Sequence, residues 1–78
     1  MRQKQLRLVV SFHTTAEAMA TEAACRRLGL EGRLISVPRS VTSDCGLAWS
    51  APPELEDRLR QALAERGVEP AGFHHLTV

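Results

Sequence analysis

Tyrosine is absent, and Phe12, Trp49 and Phe73 are the only aromatic residues in a chain of 78. Proteins that hold single-stranded nucleic acid stack successive bases on aromatic rings, so that class of partner is not expected. Charge of one sign is equally scarce. Ten Lys+Arg stand against nine Asp+Glu, a formal net charge of +1, which gives no field to draw in nucleic acid or an anionic membrane. Leu8-Val9-Val10, the longest aliphatic run near the start, is far short of a spanning helix or a signal-peptide core. Neither a membrane segment nor a targeting segment is therefore expected. Cys25 and Cys45 are the only cysteines, with no CxxC spacing, too few for a disulfide scaffold. A reducing, cytoplasmic setting is the resulting expectation. Walker, GxGxxG, HExxH and GxSxG patterns are all missing, which sets aside the nucleotide, zinc-protease and serine-hydrolase classes they mark.

What is present reads as a single small domain over 1–78. With 44% hydrophobic and 24% charged residues, the chain lies away from the composition at which polypeptides stay disordered. At this length roughly 60% of the unfolded surface is buried on folding, so the core is thin. Leu6 to Phe12 is aliphatic and β-branched and predicts a buried strand. Thr14-Thr15-Ala16-Glu17 is a capping box, opening a helix that stops at Gly29. Its core face is read as Ala18, Thr21, Ala24/Cys25 and Leu28, three and four residues apart. Arg33 to Val37 predicts a second strand, ended by Pro38, and Leu47 to Ser50 a third. Pro52-Pro53 starts a second helix with Leu55, Leu59, Ala62 and Leu63 on one face, ending at Gly67. Ala71 to Val78 is the last strand. Leu8, Val10, Phe12, Leu28, Leu34, Ile35, Leu47, Leu55, Leu59, Leu63 and Phe73 are expected to supply most of the core.

The order β-α-β-β-α-β in so short a chain predicts an α+β, ferredoxin-like split βαβ fold. This is an antiparallel four-stranded sheet of order 4-1-3-2 with two helices on one face. Such a topology brings the end of the first strand, the start of the first helix and the loop between the second and third strands to one edge. His13, Thr14 and Thr15 should therefore lie beside Thr42, Ser43, Asp44, Cys45 and Gly46.

Cys45 is the most informative residue. It sits in a polar loop and not in an apolar run, next to Gly46, which allows positive φ or close backbone approach. Arg39 supplies positive charge nearby, Thr42 and Ser43 supply hydroxyls, and the helix start supplies a dipole, each favouring thiolate. Asp44 opposes them. The alternative is a small turn cysteine with no role. Cys25, mid-helix, reads as a buried small hydrophobe. It lies roughly 15 Å down the helix from the shared edge, whereas a disulfide needs Cα atoms within about 7 Å, so no bridge to Cys45 is expected. His13 could serve Cys45 as a base or a positive neighbour. His74 and His75 are adjacent in a strand and point to opposite faces, which leaves no metal site. No cofactor is expected either. Trp49 reads as a core or sheet-face aromatic.

From Val37 to Ala48 the chain resembles a small bacterial family described as selenium/sulfur (Se/S) carrier protein-like. Pro38-Arg39, Val41, Thr42-Ser43, Cys45-Gly46 and Leu47-Ala48 match its pattern in order. Phe12, Thr14-Thr15 and Glu22 match a second stretch, and Gly72-Phe73 resembles the start of its last strand. Ala16 stands where many members carry histidine. The resemblance implies a sulfur or selenium carrier or relay rather than a stand-alone enzyme. Cys45 would take up the chalcogen as a persulfide-type adduct, with Arg39, Thr42, Ser43 and Gly46 around it and His13, Thr14 and Thr15 in support. The implied partners are donor and acceptor proteins, and self-association through the sheet stays open. The competing expectation is a small anion-binding or interaction module in which Cys45 is incidental.

Overall fold

The computed structural model describes residues 4–78; of the domain expected over 1–78, residues 1–3 lie outside it. Strand β1 (Leu6–Ser11) leads to helix α1 (Thr15–Leu28), then to strands β2 (Arg33–Ser36) and β3 (Leu47–Ala51). A 3-10 turn (Pro53–Leu55) precedes helix α2 (Glu56–Glu65), and strand β4 (Gly72–Thr77) closes the order. The sheet runs β2-β3-β1-β4, the expected order read from its other edge. Each neighbouring pair is antiparallel.

Local signals account for the helix ends. The Thr14 hydroxyl accepts from the Glu17 amide at 3.2 Å, and Glu17 Oε1 reaches back to the Thr14 N–H at 3.3 Å, the two halves of a capping box. At the other end Gly29 adopts φ +70 and the Leu30 N–H bonds the Cys25 carbonyl at 2.9 Å, the long bond of a Schellman motif. Helix α2 ends the same way, with the Val68 N–H on the Leu63 carbonyl at 2.9 Å. Pro52-Pro53 starts a 3-10 turn before the α-helix takes over at Glu56, so the proline signal marks the entry and not the first α-helical turn.

Alternate β1 residues Leu8 and Val10, with Phe12, form one core cluster with Trp49 and Ala51 of β3. Helix α1 contributes Ala18 and Cys25 to it, and α2 contributes Leu59, Ala62 and Leu63. Both helices thus cover the same face. Leu28, expected in this core, is 43% exposed, while Leu30 is 7% exposed and belongs to it. The reason is the Schellman reversal: Gly29 turns the chain back, and the residue after it packs inward in place of the last helical leucine. Leu34, Leu47 and Phe73 pack on the cluster partly buried. Ile35 and Leu55, also expected in the core, do not join it: Ile35 lies opposite Ala48 on the other face of the sheet, and Leu55 ends the 3-10 turn before α2. Val41, in the β2–β3 loop, is buried unexpectedly.

Residues of opposite parity, Val9 and Ser11 of β1 with Ala48 and Ser50 of β3, are also buried. The register sets them between long side chains of the outer strands: Arg33 lies opposite Ser50, Ile35 opposite Ala48 and His74 opposite Val9. Small residues in the middle and large ones at the sides make this second face a trough.

Trp49 is 2% exposed, and its Nε1 has no hydrogen-bond partner, so packing alone fixes the indole. Gly32 supplies that packing. A Cβ there would lie 2.6 Å from Trp49 Nε1 and Cε2, closer than any side chain tolerates without movement of a buried ring. Gly32→Ala should cost about 1–3 kcal/mol, the range for overpacking a filled core, and should perturb tryptophan fluorescence. Chemical denaturation followed by that fluorescence measures both; an unchanged midpoint would mean the indole has room to move.

Candidate functional site

The β2–β3 loop is held at three points. The Val37 N–H bonds the Gly46 carbonyl at 3.0 Å across its base, and the Val41 N–H bonds the Pro38 carbonyl at 3.0 Å to close a turn. Buried Val41 pins that turn to the body. Ser43 Oγ donates to the Phe12 carbonyl at 3.1 Å, which ties the loop to the end of β1, two residues before the α1 cap. The edge expected from topology, with the loop against the β1–α1 junction, is therefore present.

Cys45 is half-buried and packs on the margin of the core cluster. Gly46, at φ +76, turns the chain so that Leu47 presents both its backbone polar groups to the sulfur. The Leu47 N–H donates to Sγ at 3.4 Å, and the Leu47 carbonyl lies 3.5 Å away as an acceptor for the thiol proton. Ser43 Oγ is 3.8 Å from Sγ. A thiol can thus donate to the carbonyl, while an anionic sulfur keeps the Leu47 N–H; the single Ser43 hydroxyl proton reaches the sulfur only by leaving the Phe12 carbonyl. Sulfur accepts weakly, so this cradle positions the atom more than it binds it.

Leu47 was not singled out from sequence as a site residue, because its contribution there is backbone and not side chain. The available signal was Cys-Gly itself: a polar side chain bonding the N–H two residues on, with glycine between, is a turn pattern known for Asx and Ser/Thr.

The other expected residues divide. Ser43 touches the sulfur. Arg39 and Thr42 are exposed, and neither side chain makes a hydrogen bond among the described residues. His13 is exposed, and its backbone N–H donates to Glu17 Oε1 at 2.8 Å. Thr14 spends its hydroxyl on the cap, and Thr15 is the exposed first residue of α1. Glu17 alters the electrostatics of this edge: its carboxylate spans the His13 and Thr14 amides and offsets much of the positive end of the helix dipole.

Cys25 is fully buried and Cys45 is not, and both are free. Burial pushes the Cys25 thiol up to about 11, against the opposing pull of the Arg66 charge. The remaining histidines part as expected. His74 Nε2 lies 3.3 Å from Ser11 Oγ on the trough face. His75 Nε2 lies 2.8 Å from Glu56 Oε1 of α2, whose carboxyl is held below the usual range by the Arg60 hydrogen bond first and by His75 as well. No group of His, Cys, Asp and Glu among the described residues could hold a metal ion, and no helix among them is long and apolar enough to cross a membrane.

No curated protein matches the chain significantly. A match to a protein family spans residues 7–75, from β1 through the cysteine loop to β4, and by it the chain belongs to the family described as "Putative Se/S carrier protein-like".

Proposed function

We propose that the protein is a carrier or relay for sulfur or selenium, built on a ferredoxin-like frame, and that Cys45 is the accepting atom. The observation that carries this reading is the environment of that sulfur. Cys45 lies at a loop end outside the central core, with one backbone N–H on it and one hydroxyl beside it. The N–H is a donor that an anionic thiolate or an anionic adduct requires, and the hydroxyl supplies a second when it turns from the Phe12 carbonyl. Family membership supports the cargo.

In the transfer step the Cys45 thiolate attacks the terminal chalcogen of a protein persulfide or its selenium counterpart. A bond forms between Cys45 Sγ and that chalcogen while the donor's bond to it breaks, and the donor leaves as a thiolate. Cys45 then carries –S–SH or –S–SeH, with no net oxidation in the exchange. The same step run against an acceptor thiolate discharges it. The Leu47 N–H holds the charge on Cys45, joined by the Ser43 hydroxyl when it turns from the Phe12 carbonyl. Gly46 keeps the cradle's shape, and exposed Arg39 and Thr42 meet the partner at the same end. His13 serves the thiol as a base or a positive neighbour, and Thr14 and Thr15 form the helix start beside it. The partners are a chalcogen donor and an acceptor protein in a reducing cytoplasm. Because the Glu17 carboxylate already sits at the start of α1 on the His13 and Thr14 amides, it repels free anions from this edge, which favours the carrier reading over simple anion binding there.

Incubation with a cysteine desulfurase and cysteine, or with a selenium donor, followed by intact-mass analysis tests this. The expected result is a mass gain of one sulfur or selenium atom, mapped by peptide analysis to Cys45 and removed by dithiothreitol. No gain with either donor, in protein whose Cys45 still alkylates, would overturn the reading.

A further inference from the structure

We propose that the trough on the sheet face opposite the helices binds a small molecule bearing an oxyanion, a carboxylate or a phosphate ester, between Arg7 and Arg33. This site lies on the opposite face from the Cys45 cradle and does not depend on it. The trough encloses about 630 Å³, within the range of small-molecule sites, roughly 300–1,000 Å³. Arg7, Arg33 and Ser50 line it with the apolar Ile35 and Val78.

The arginine on β1 is held in place. Arg7 Nε donates to Ser50 Oγ at 3.1 Å, and Nη2 reaches the Ser50 carbonyl at 3.4 Å. A guanidinium has five N–H donors, so three stay free after these bonds, in an orientation fixed beforehand. Ser50 is 4% exposed, and its hydroxyl, having accepted from Arg7, has no acceptor for its own proton among the described residues. Neither Arg7 nor Arg33 forms an ion pair among the described residues, although Glu31 also borders the trough. Two unpaired forks, one of them preset, with a buried hydroxyl between strands and an apolar wall, match an oxyanion on a short carbon body.

A second copy of the chain is the other natural occupant of a bare sheet face. Two copies face to face would gather four of these arginines in one interface with only Glu31 of each to offset them, a net like charge that is unfavourable there. The anion removes that charge and the copy adds to it.

Titration of the isotopically labelled protein with inorganic phosphate and with succinate, followed by NMR, reads the site directly. Saturable shifts of the Arg7 side-chain Nε–H and of the Arg33, Ile35 and Ser50 amides are expected with at least one probe, and the probe that binds identifies which oxyanion fits. Arg33→Gln, on an exposed edge-strand position, should weaken binding by about tenfold, the equivalent of one charge-assisted hydrogen bond. Arg7→Gln should do the same, with Cys45 alkylation unchanged in both. Absence of saturable shifts with either probe would overturn the proposal. So would equal affinity in Arg33→Gln, shifts confined to the start of α1, or a sedimenting dimer whose interface protects this face from hydrogen exchange.

Discussion

Leu59→Ala should remove about 2–5 kcal/mol of stability, the range for emptying a leucine-sized site in a packed core. Leu59 is 1% exposed and sits with Ala62 and Leu63 against Leu8, Val10, Phe12 and Trp49. Its neighbours on α2 are small or already committed, so nothing large is free to fill the gap. A domain this size stands near the low end of the usual stability range, about 5 kcal/mol, and the loss consumes half of that or all of it. The melting temperature should fall by on the order of 10–30 °C. Leu28→Ala provides the contrast. At 43% exposure it should cost about 0.5 kcal/mol or less, whereas Leu30→Ala should approach Leu59→Ala. Calorimetry on the three variants orders them; a Leu28 cost equal to that of Leu59 would mean that α1 buries a different face.

That contrast marks where the chain was legible. Features set by neighbours in sequence read through directly: the Thr14–Glu17 box, the left-handed Gly29, and the run of Ala18, Thr21, Ala24 and Cys25 on one side of α1. The meeting of the Cys45 loop with the β1–α1 junction was also legible, because the crossover rule leaves few places for strand 3. Residues beyond a reversal were not. Leu28 satisfies the helical spacing as well as Cys25 does, and only the turn at Gly29 decides that Leu30 goes inside. Val41 looked like part of a polar loop, since its burial depends on how the turn at Pro38 folds back. The sulfur's closest partners are the backbone groups of Leu47, which no residue type announces. Arg7 hid inside a strand read as buried, because its role needs the register that sets Arg33 across from Ser50.

Native-state alkylation should separate the two cysteines completely. At pH 8 a thiol pushed up to about 11 is ionised in about one molecule in a thousand, and Cys25 is also closed to reagent, so it should react only on unfolding. Cys45 is partly exposed and has no comparable burial, so iodoacetamide should label it in the folded protein. Cys45→Ser should then cut native labelling by on the order of a hundredfold or more, to the residual rate of Cys25, while Cys25, the one thiol left, labels fully in denaturant. Stability should change by about 1 kcal/mol at most, the ordinary cost of a substitution at the core's margin. The serine hydroxyl can still accept from the Leu47 N–H, but it stays protonated at neutral pH and cannot attack a persulfide, so chalcogen uptake should vanish with the labelling. Ser43→Ala tests the cradle more finely: the loop loses its tie to Phe12 and the sulfur loses the hydroxyl that can turn to it, so labelling should slow while the thiol remains reachable. The combination that would refute an accepting role is the reverse one, in which native Cys45 resists alkylation until denaturant is added and Cys45→Ser unfolds the chain. Cys45 would then be a packing residue like Cys25, and transfer through it would have no atom to act on.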